Sequence, residues 1–177
     1  MAPREVVVIG TEPPCPRCAL LGEMVEDIRG GLPGDFSTEH ISFESERARS
    51  IARDLGLEAA TAKQVAARLG TDIDWESVFA LIADPPACEL AGRARGESAR
   101  KWSPALDEAL RELQESARAV GILMTPVLVV DGRVVHEGSV PSVPQVRAWL
   151  ETDCGREDAP DKPSEASRTG HTPLGTI

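Results

Sequence analysis

Two cysteines stand two residues apart near the start of the chain, in the sequence CPRC at residues 15–18. A β-branched run at residues 5–10 precedes them, and residues 16–29 carry apolar side chains at helical spacing. The amides at a helix N-terminus stabilise a thiolate, and the first helical turn brings two cysteines close enough for a disulfide. The pattern therefore predicts a redox dithiol in which Cys15 is the nucleophile and Cys18 is the resolving thiol.

The two residues between the cysteines are expected to tune the pKa of Cys15. Arg17 adds a positive charge that favours the thiolate. Pro16 has no N–H to lose at the first helical position, and its fixed φ suits the start of a helix.

Metal binding and inert cysteines are the alternatives to a redox dithiol. A structural zinc site normally requires a second, similarly spaced pair, whereas Cys88 and Cys154 are far apart in the sequence. We therefore favour the redox dithiol, with no metal and no bound cofactor. A non-catalytic module that senses redox state or holds a metal stays the alternative function. We expect Cys88 to be buried and inert, and Cys154 to be an exposed thiol.

Composition and sequence argue against a nucleic-acid-binding function. The chain has 177 residues and a net charge of −10, which makes it a poor candidate for nucleic acid, because such binding depends on neutralising phosphates. Residues 61–78 are similar to the first half of a helix-turn-helix, but their acidic second half argues against a DNA reader. The basic stretch at residues 92–102 is expected to be a solvated loop.

The N-terminal apolar run is too short for a signal peptide or a membrane span, so we expect a cytoplasmic protein without a membrane partner. In a reducing cytosol a close cysteine pair is more often catalytic or metal-binding than structural.

Periodicity places the remaining elements. Residues 5–10 and 36–43 are predicted strands that form a βαβ unit with the helix at 16–29. Further helices are expected at 44–54, 61–69, 75–83, 104–119 and 143–150. Residues 122–138 form two strand-like runs joined by Asp131-Gly132, a hairpin signal. His40 and His136 fall in strands, and we expect them to face solvent or to pack.

These elements predict a discontinuous domain and two additional segments. No strand signal interrupts residues 44–103, which are predicted to be an all-α insertion. Residues 1–43 and 104–151 would form one α/β domain around it. Residues 152–177 are polar and rich in Pro, Gly, Ser and Thr, and they predict a disordered tail.

A second feature of the sequence is Thr125-Pro126, which directly precedes an apolar strand. A proline removes a ladder donor, so it must lie at a strand start or an edge. From this residue alone a trans peptide bond is the expectation, with cis as the alternative.

The order of these motifs resembles the thioredoxin-like fold. The resemblance is carried by Cys15-Pro16-Arg17-Cys18, by Thr125-Pro126, and by the segments VLVVDGRVVHEG and SVPSVPQVRAWL. The C-terminal half is most similar to minimal thioredoxin/glutaredoxin-like redox proteins. An insertion at 44–103 resembles the layout of Dsb-type disulfide oxidoreductases, although Pro13-Pro14 stands where thioredoxins usually carry a tryptophan.

The resemblance implies a central mixed four-stranded sheet flanked by helices, with a cis Pro126 facing the dithiol. Thr125 would offer backbone hydrogen bonds to the incoming chain, so both residues are implied to bind substrate. The implied activity is thiol–disulfide exchange with a protein disulfide or a small thiol, supported by a thiol reductant or a reductase.

Overall fold

The computed structural model describes residues 3–89 and 95–152 of the chain. The predicted tail beyond residue 152, Cys154 and part of the basic stretch lie outside these ranges. The strands are β1 (Arg4–Gly10), β2 (Phe36–Ser42), β3 (Glu58–Ala60), β4 (Ile122–Met124), β5 (Val127–Val130) and β6 (Arg133–Glu137). The helices are α1 (Pro16–Arg29), α2 (Glu46–Asp54), α3 (Ala62–Leu69), α4 (Trp75–Ala83), α5 (Pro104–Ala119) and α6 (Val143–Glu151), with a 3-10 turn at Ala99–Lys101.

The central sheet has the strand order β2-β1-β5-β6. Strands β1 and β2 run parallel because α1 connects them, whereas β5 is antiparallel to both β1 and β6. The predicted mixed four-stranded sheet flanked by helices is therefore confirmed. Asp131-Gly132 forms the hairpin between β5 and β6, and both residues have positive φ, as a tight two-residue turn demands.

Both faces of the sheet are buried, which explains the continuous apolar run of β1. Val6 and Val8 pack against α1 and α6, whereas Val7 and Ile9 point to the opposite face, against α2. A third cluster joins α3 and α4 to α5 and β4. The segment before α5 thus shares its core with the C-terminal half of the chain.

The expectation that residues 44–103 are all-α is wrong at one point. They contain the short strand β3, which pairs in parallel with β4 in a separate two-stranded sheet. Its sequence, Glu-Ala-Ala, lacks the β-branched and aromatic residues that mark a strand, so its extended form depends on the pairing with β4. The run before the hairpin is also divided, since Thr125-Pro126 separates β4 from β5.

We expect Leu113→Ala in α5 to lower the free energy of unfolding by about 2–5 kcal/mol. Leu113 is 1% exposed in the cluster shared by α5 and the preceding helices, so the truncation leaves a cavity. Leu55→Ala is the matched control, because Leu55 is 45% exposed and its loss should change stability by no more than about 0.5 kcal/mol. Denaturant titration measures both, and equal losses would contradict the assigned core.

Candidate dithiol site

Cys15 lies at the N-cap of α1, between the end of β1 and the first helical turn. Its Sγ accepts the backbone N–H of Cys18 at 3.4 Å, and its own N–H donates to the Thr11 hydroxyl at 2.8 Å. Thr11 Oγ1 in turn donates to the carbonyl of Pro13 at 2.9 Å. The cap and the threonine therefore fix where the Cys15 sulfur stands.

The two thiols contact each other directly. Both are free thiols, and their Sγ atoms are 2.9 Å apart. Cys18 is 1% exposed on the inner side of the helix, whereas Cys15 is partly exposed. The structure thus brings the two predicted residues together, with Cys15 as the more accessible sulfur.

The environment moves the two thiol pKa values in opposite directions. The pKa of Cys15 is lowered to about 6, chiefly by the hydrogen bond from Cys18, and further by the charge of Arg17 and the Cys18 backbone N–H; burial opposes these effects. The pKa of Cys18 is raised, because Cys18 gives its proton to that hydrogen bond and is buried beside a sulfur that becomes negative. At neutral pH this arrangement holds a thiolate at Cys15 and a thiol at Cys18.

Arg17 is buried and connects α1 to the C-terminal half of the chain. Its guanidinium donates to the carbonyl of Gly138, and it lies 3.8 Å from the Asp107 carboxylate. Asp107 also accepts the Trp102 indole N–H at 2.8 Å and the Val140 N–H at 3.1 Å. Burial raises the pKa of Asp107, and the positive charge of Arg17 opposes that rise.

Sequence reasoning missed Thr11, Asp107 and Gly138 at this site. Thr11 directly follows β1 and lies close to Cys15 in the sequence, so this proximity could have identified it as part of the site. Asp107 and Gly138 are brought to Arg17 only by the tertiary fold.

The peptide bond between Thr125 and Pro126 is cis. Thr125 is buried, and its N–H donates to the Ala60 carbonyl of β3 at 2.9 Å. Pro126 offers its carbonyl to the N–H of Gly138 at 2.8 Å. Gly138 therefore contacts both the Pro126 loop and Arg17, which fixes the dithiol helix relative to β5.

A groove of about 250 Å³ lies beside Cys15; its surface is mostly apolar and comes from side chains of α3, α4 and α5 together with residues around the dithiol such as Thr11, Pro16 and Arg17. Cys15 and Thr125 both line it. Phe79 of α4 stands in its wall with 47% of its surface exposed, and the Lys63 ammonium lies 4.7 Å from the centre of that ring.

Cys88 was expected to be buried, but the structure places it at the surface. It lies in the segment DPPACE after α4, in which most residues are exposed. Its Sγ is 3.8 Å from the Trp102 carbonyl. The apolar character of cysteine is too weak a signal to predict burial in such a segment.

The histidines differ in their surroundings. His136 is half-buried, with Nε2 at 3.0 Å from the Ser139 hydroxyl and its ring against Trp149. His40 lies on β2, and its Nε2 atom is close to Gly10, the last residue of β1. Across residues 3–89 and 95–152, no group of three or more His, Cys, Asp or Glu side chains is arranged to hold a metal ion.

Comparison with known proteins gives one family. Residues 104–151 match a family model described as a thioredoxin domain. The match covers the Thr-Pro motif, the hairpin and α6, and it supports a thioredoxin-like superfamily for this chain; it reaches neither cysteine of the dithiol nor residues 44–103. The likeness of that segment to Dsb-type insertions is therefore not confirmed.

No curated protein and no solved structure matched the chain. Within the described part of the chain, none of the helices has the length and apolar character that crossing a bilayer requires.

We expect the alkylation rate of Cys15 by iodoacetamide to rise with pH, with a midpoint near 6, and to level off above it. Arg17→Met removes the charge that favours the thiolate, so the midpoint should move up by about one unit. Arg17→Lys, which keeps a positive charge, should shift it less. Mass spectrometry in a Cys88→Ser/Cys154→Ser background measures the rate at Cys15 alone, and equal shifts in both Arg17 variants would contradict a charge effect.

Proposed function

We propose that this protein, which has a thioredoxin-like fold, is a thiol–disulfide oxidoreductase that uses Cys15 and Cys18. The observation that carries the proposal is the asymmetry of the pair. A thiolate-favouring Cys15 lies 2.9 Å from a Cys18 sulfur whose pKa is raised, at the head of a helix. Such a pair supplies a nucleophile and a protonated second thiol held in reserve.

The reaction proceeds by two exchanges. The Cys15 thiolate attacks one sulfur of a partner disulfide, forms a mixed disulfide and releases the partner's other sulfur as a thiolate. Cys18 then loses its proton and attacks Cys15 Sγ, which closes the Cys15–Cys18 disulfide and expels the second partner thiolate. Two electrons pass from the dithiol to the partner, and a thiol reductant or reductase returns them by the reverse steps. The exchange requires no bound cofactor.

Pro16 and Arg17 would tune this nucleophile. Pro16 occupies the first position of α1, where its fixed φ suits the helix and its missing N–H costs no hydrogen bond. Arg17 lowers the Cys15 pKa through its charge while its guanidinium is held by Gly138 and Asp107.

Thr125 and Pro126 would contact the partner. Since the Thr125 N–H is already donated to Ala60, the backbone group that Thr125 can offer is its carbonyl. The apolar groove beside Cys15 favours a partner that carries an apolar side chain next to its disulfide. We therefore propose a protein or peptide disulfide as the substrate, with a small thiol as the alternative partner.

The cellular setting and the domain division are part of the same proposal. We place the activity in the cytoplasm, where a thiol reductant is at hand. Residues 1–43 and 104–151 would form the exchange domain, with residues 44–103 inserted in it to shape the partner groove.

The central experiment is turnover of a peptide disulfide with dithiothreitol as the reductant. Cys15→Ser should abolish turnover, because the nucleophile is lost. Cys18→Ser, mixed with the peptide disulfide without dithiothreitol, should stop after the first exchange and accumulate a mixed disulfide at Cys15, visible by mass spectrometry. Cys88→Ser is the matched control and should leave turnover unchanged.

Two results would contradict the proposal. One is full turnover by Cys15→Ser. The other is stoichiometric zinc or iron in anaerobically purified protein that is lost in Cys18→Ser, which would instead support the metal-holding module.

The groove has a test of its own. Phe79→Ser should raise KM for an apolar peptide disulfide about tenfold, since burying an aromatic side chain contributes on the order of 1.5–3 kcal/mol of which a partner recovers a part. It should leave the rate with a small aromatic disulfide reagent unchanged, because that reagent reaches Cys15 without filling the groove. Leu55→Ser, a similarly exposed apolar residue at the end of α2, is the control. An unchanged KM in Phe79→Ser would place the partner elsewhere.

A further inference from the structure

The last residue of β1 is a glycine, which lets two side chains approach the backbone closely beneath the dithiol. A Cβ at Gly10 would lie 2.7 Å from His40 Nε2 and 2.8 Å from Cys18 Sγ, too close for either contact to be tolerated. Both atoms therefore lie against the position that a Cβ would occupy, and only a glycine permits this approach. The distance between His40 Nε2 and Cys18 Sγ is therefore at most the sum of those two distances. A small side-chain rotation or one water molecule bridges such a gap.

The register of the sheet explains this convergence. In the parallel pairing of β1 with β2, Val8 lies opposite His40 and Gly10 lies opposite Ser42. Side chains alternate along a strand, so His40 faces the same side as Val8 and Gly10, which is the side covered by α1. Cys18 points to that side from the first turn of α1. The two residues also line one groove of about 350 Å³ that opens between α1 and β2.

The second exchange requires that Cys18 lose its proton, and a group placed beside Cys18 can accept it. Cys18 attacks only as a thiolate, yet its burial disfavours the charged form and raises its pKa, and this effect persists when Cys15 is bonded to the partner, whereas the hydrogen bond to the Cys15 thiolate and the charge of that thiolate are lost. Cys15 cannot take that proton once its sulfur is bonded to the partner. A separate base beside Cys18 would remove the obstacle.

We propose that His40 is the general base of the resolving step. This rests on the proposed function of the dithiol. With the mixed disulfide at Cys15, Nε2 of a neutral His40 takes the proton from the Cys18 thiol. The Cys18 thiolate then bonds to Cys15 Sγ and the partner leaves as a thiolate. The imidazolium returns its proton to the departing thiolate or to water, so protons and electrons balance.

The surroundings of His40 suit a base. His40 is exposed at the mouth of the groove, and its partial desolvation lowers its pKa below the usual value for histidine, so the imidazole is neutral at neutral pH; the charge of Glu12 opposes this only in part. The titratable groups that line the same groove as His40 are Cys18, Glu23, Glu26 and Glu39. Each of these three carboxylates is paired with an arginine, so the charge that favours the imidazolium formed when His40 accepts the proton is that of Glu12.

The experiment follows the two exchanges separately with Ellman's reagent in excess, in a Cys88→Ser/Cys154→Ser background. Attack by Cys15 releases the first thionitrobenzoate at a rate that scales with reagent concentration. Attack by Cys18 releases the second at a rate that does not. His40→Gln should slow the second phase about 100-fold, at the lower end of what general bases contribute, and leave the first phase unchanged. His136→Gln, the substitution of a histidine outside this groove, should change neither phase.

The pH profile separates a base from a structural role. In the wild-type protein the second phase should rise with pH until His40 is neutral and then level off. In His40→Gln it should keep rising with hydroxide concentration and approach the wild-type rate at high pH, because solvent then takes the proton. A second phase with the wild-type rate and profile in His40→Gln would overturn the proposal, as would an equal slowing at all pH values. A wild-type protein that lacks the first phase would instead overturn the proposed function itself.

Discussion

The hydrogen bond between the two sulfurs is the contact on which the chemistry of this protein depends. A thiolate is stable at Cys15 because a second thiol 2.9 Å away donates to it, and the same bond keeps Cys18 protonated. The bond exists only while the first turn of α1 holds both residues, with Cys15 as N-cap and Cys18 one turn in. Every element that positions this turn therefore contributes to the reactivity of the pair.

The buried guanidinium of Arg17 fixes the first turn of α1. Removing a guanidinium from water is costly unless its donors find partners. Arg17 finds them in Gly138 and Asp107, which lie far away in sequence, after β6 and in α5. The C-terminal half of the chain, where the thioredoxin-domain match lies, thus holds in place a dithiol that belongs to the N-terminal part. Neither half would position the sulfurs by itself.

Local signals in the sequence predicted most elements because each was encoded by a few neighbouring residues. Pro16 and Gly30 bound α1, and the side chains of Thr61 and Asp74 cap α3 and α4. Ser103 stands at the N-cap of α5 without a side-chain cap bond. The dithiol also lay in one short motif, so its geometry could be anticipated from the strand and helix that flank it.

Features that depend on pairing between distant segments could not be anticipated. Strand β3 consists of residues with low strand propensity and exists because β4 offers it backbone partners. Asp107 meets Arg17 only after α5 packs. The approach of His40 to Cys18 depends on the register of β2 against β1, since a shift of one residue would turn the imidazole to the other face.

Two grooves flank the dithiol, and each contains one of its sulfurs. Cys15 lines the apolar groove with Thr125 and Phe79, whereas Cys18 lines the groove between α1 and β2 with His40. A partner seated on the first groove covers the sulfur that it is bonded to but leaves the second groove open to water. In the proposed exchange, the proton of Cys18 would leave on the side opposite the partner, while the partner excludes water from the disulfide under attack. The two proposals would thus share one structural basis, which is the glycine at the end of β1 that lets the imidazole of His40 approach Cys18.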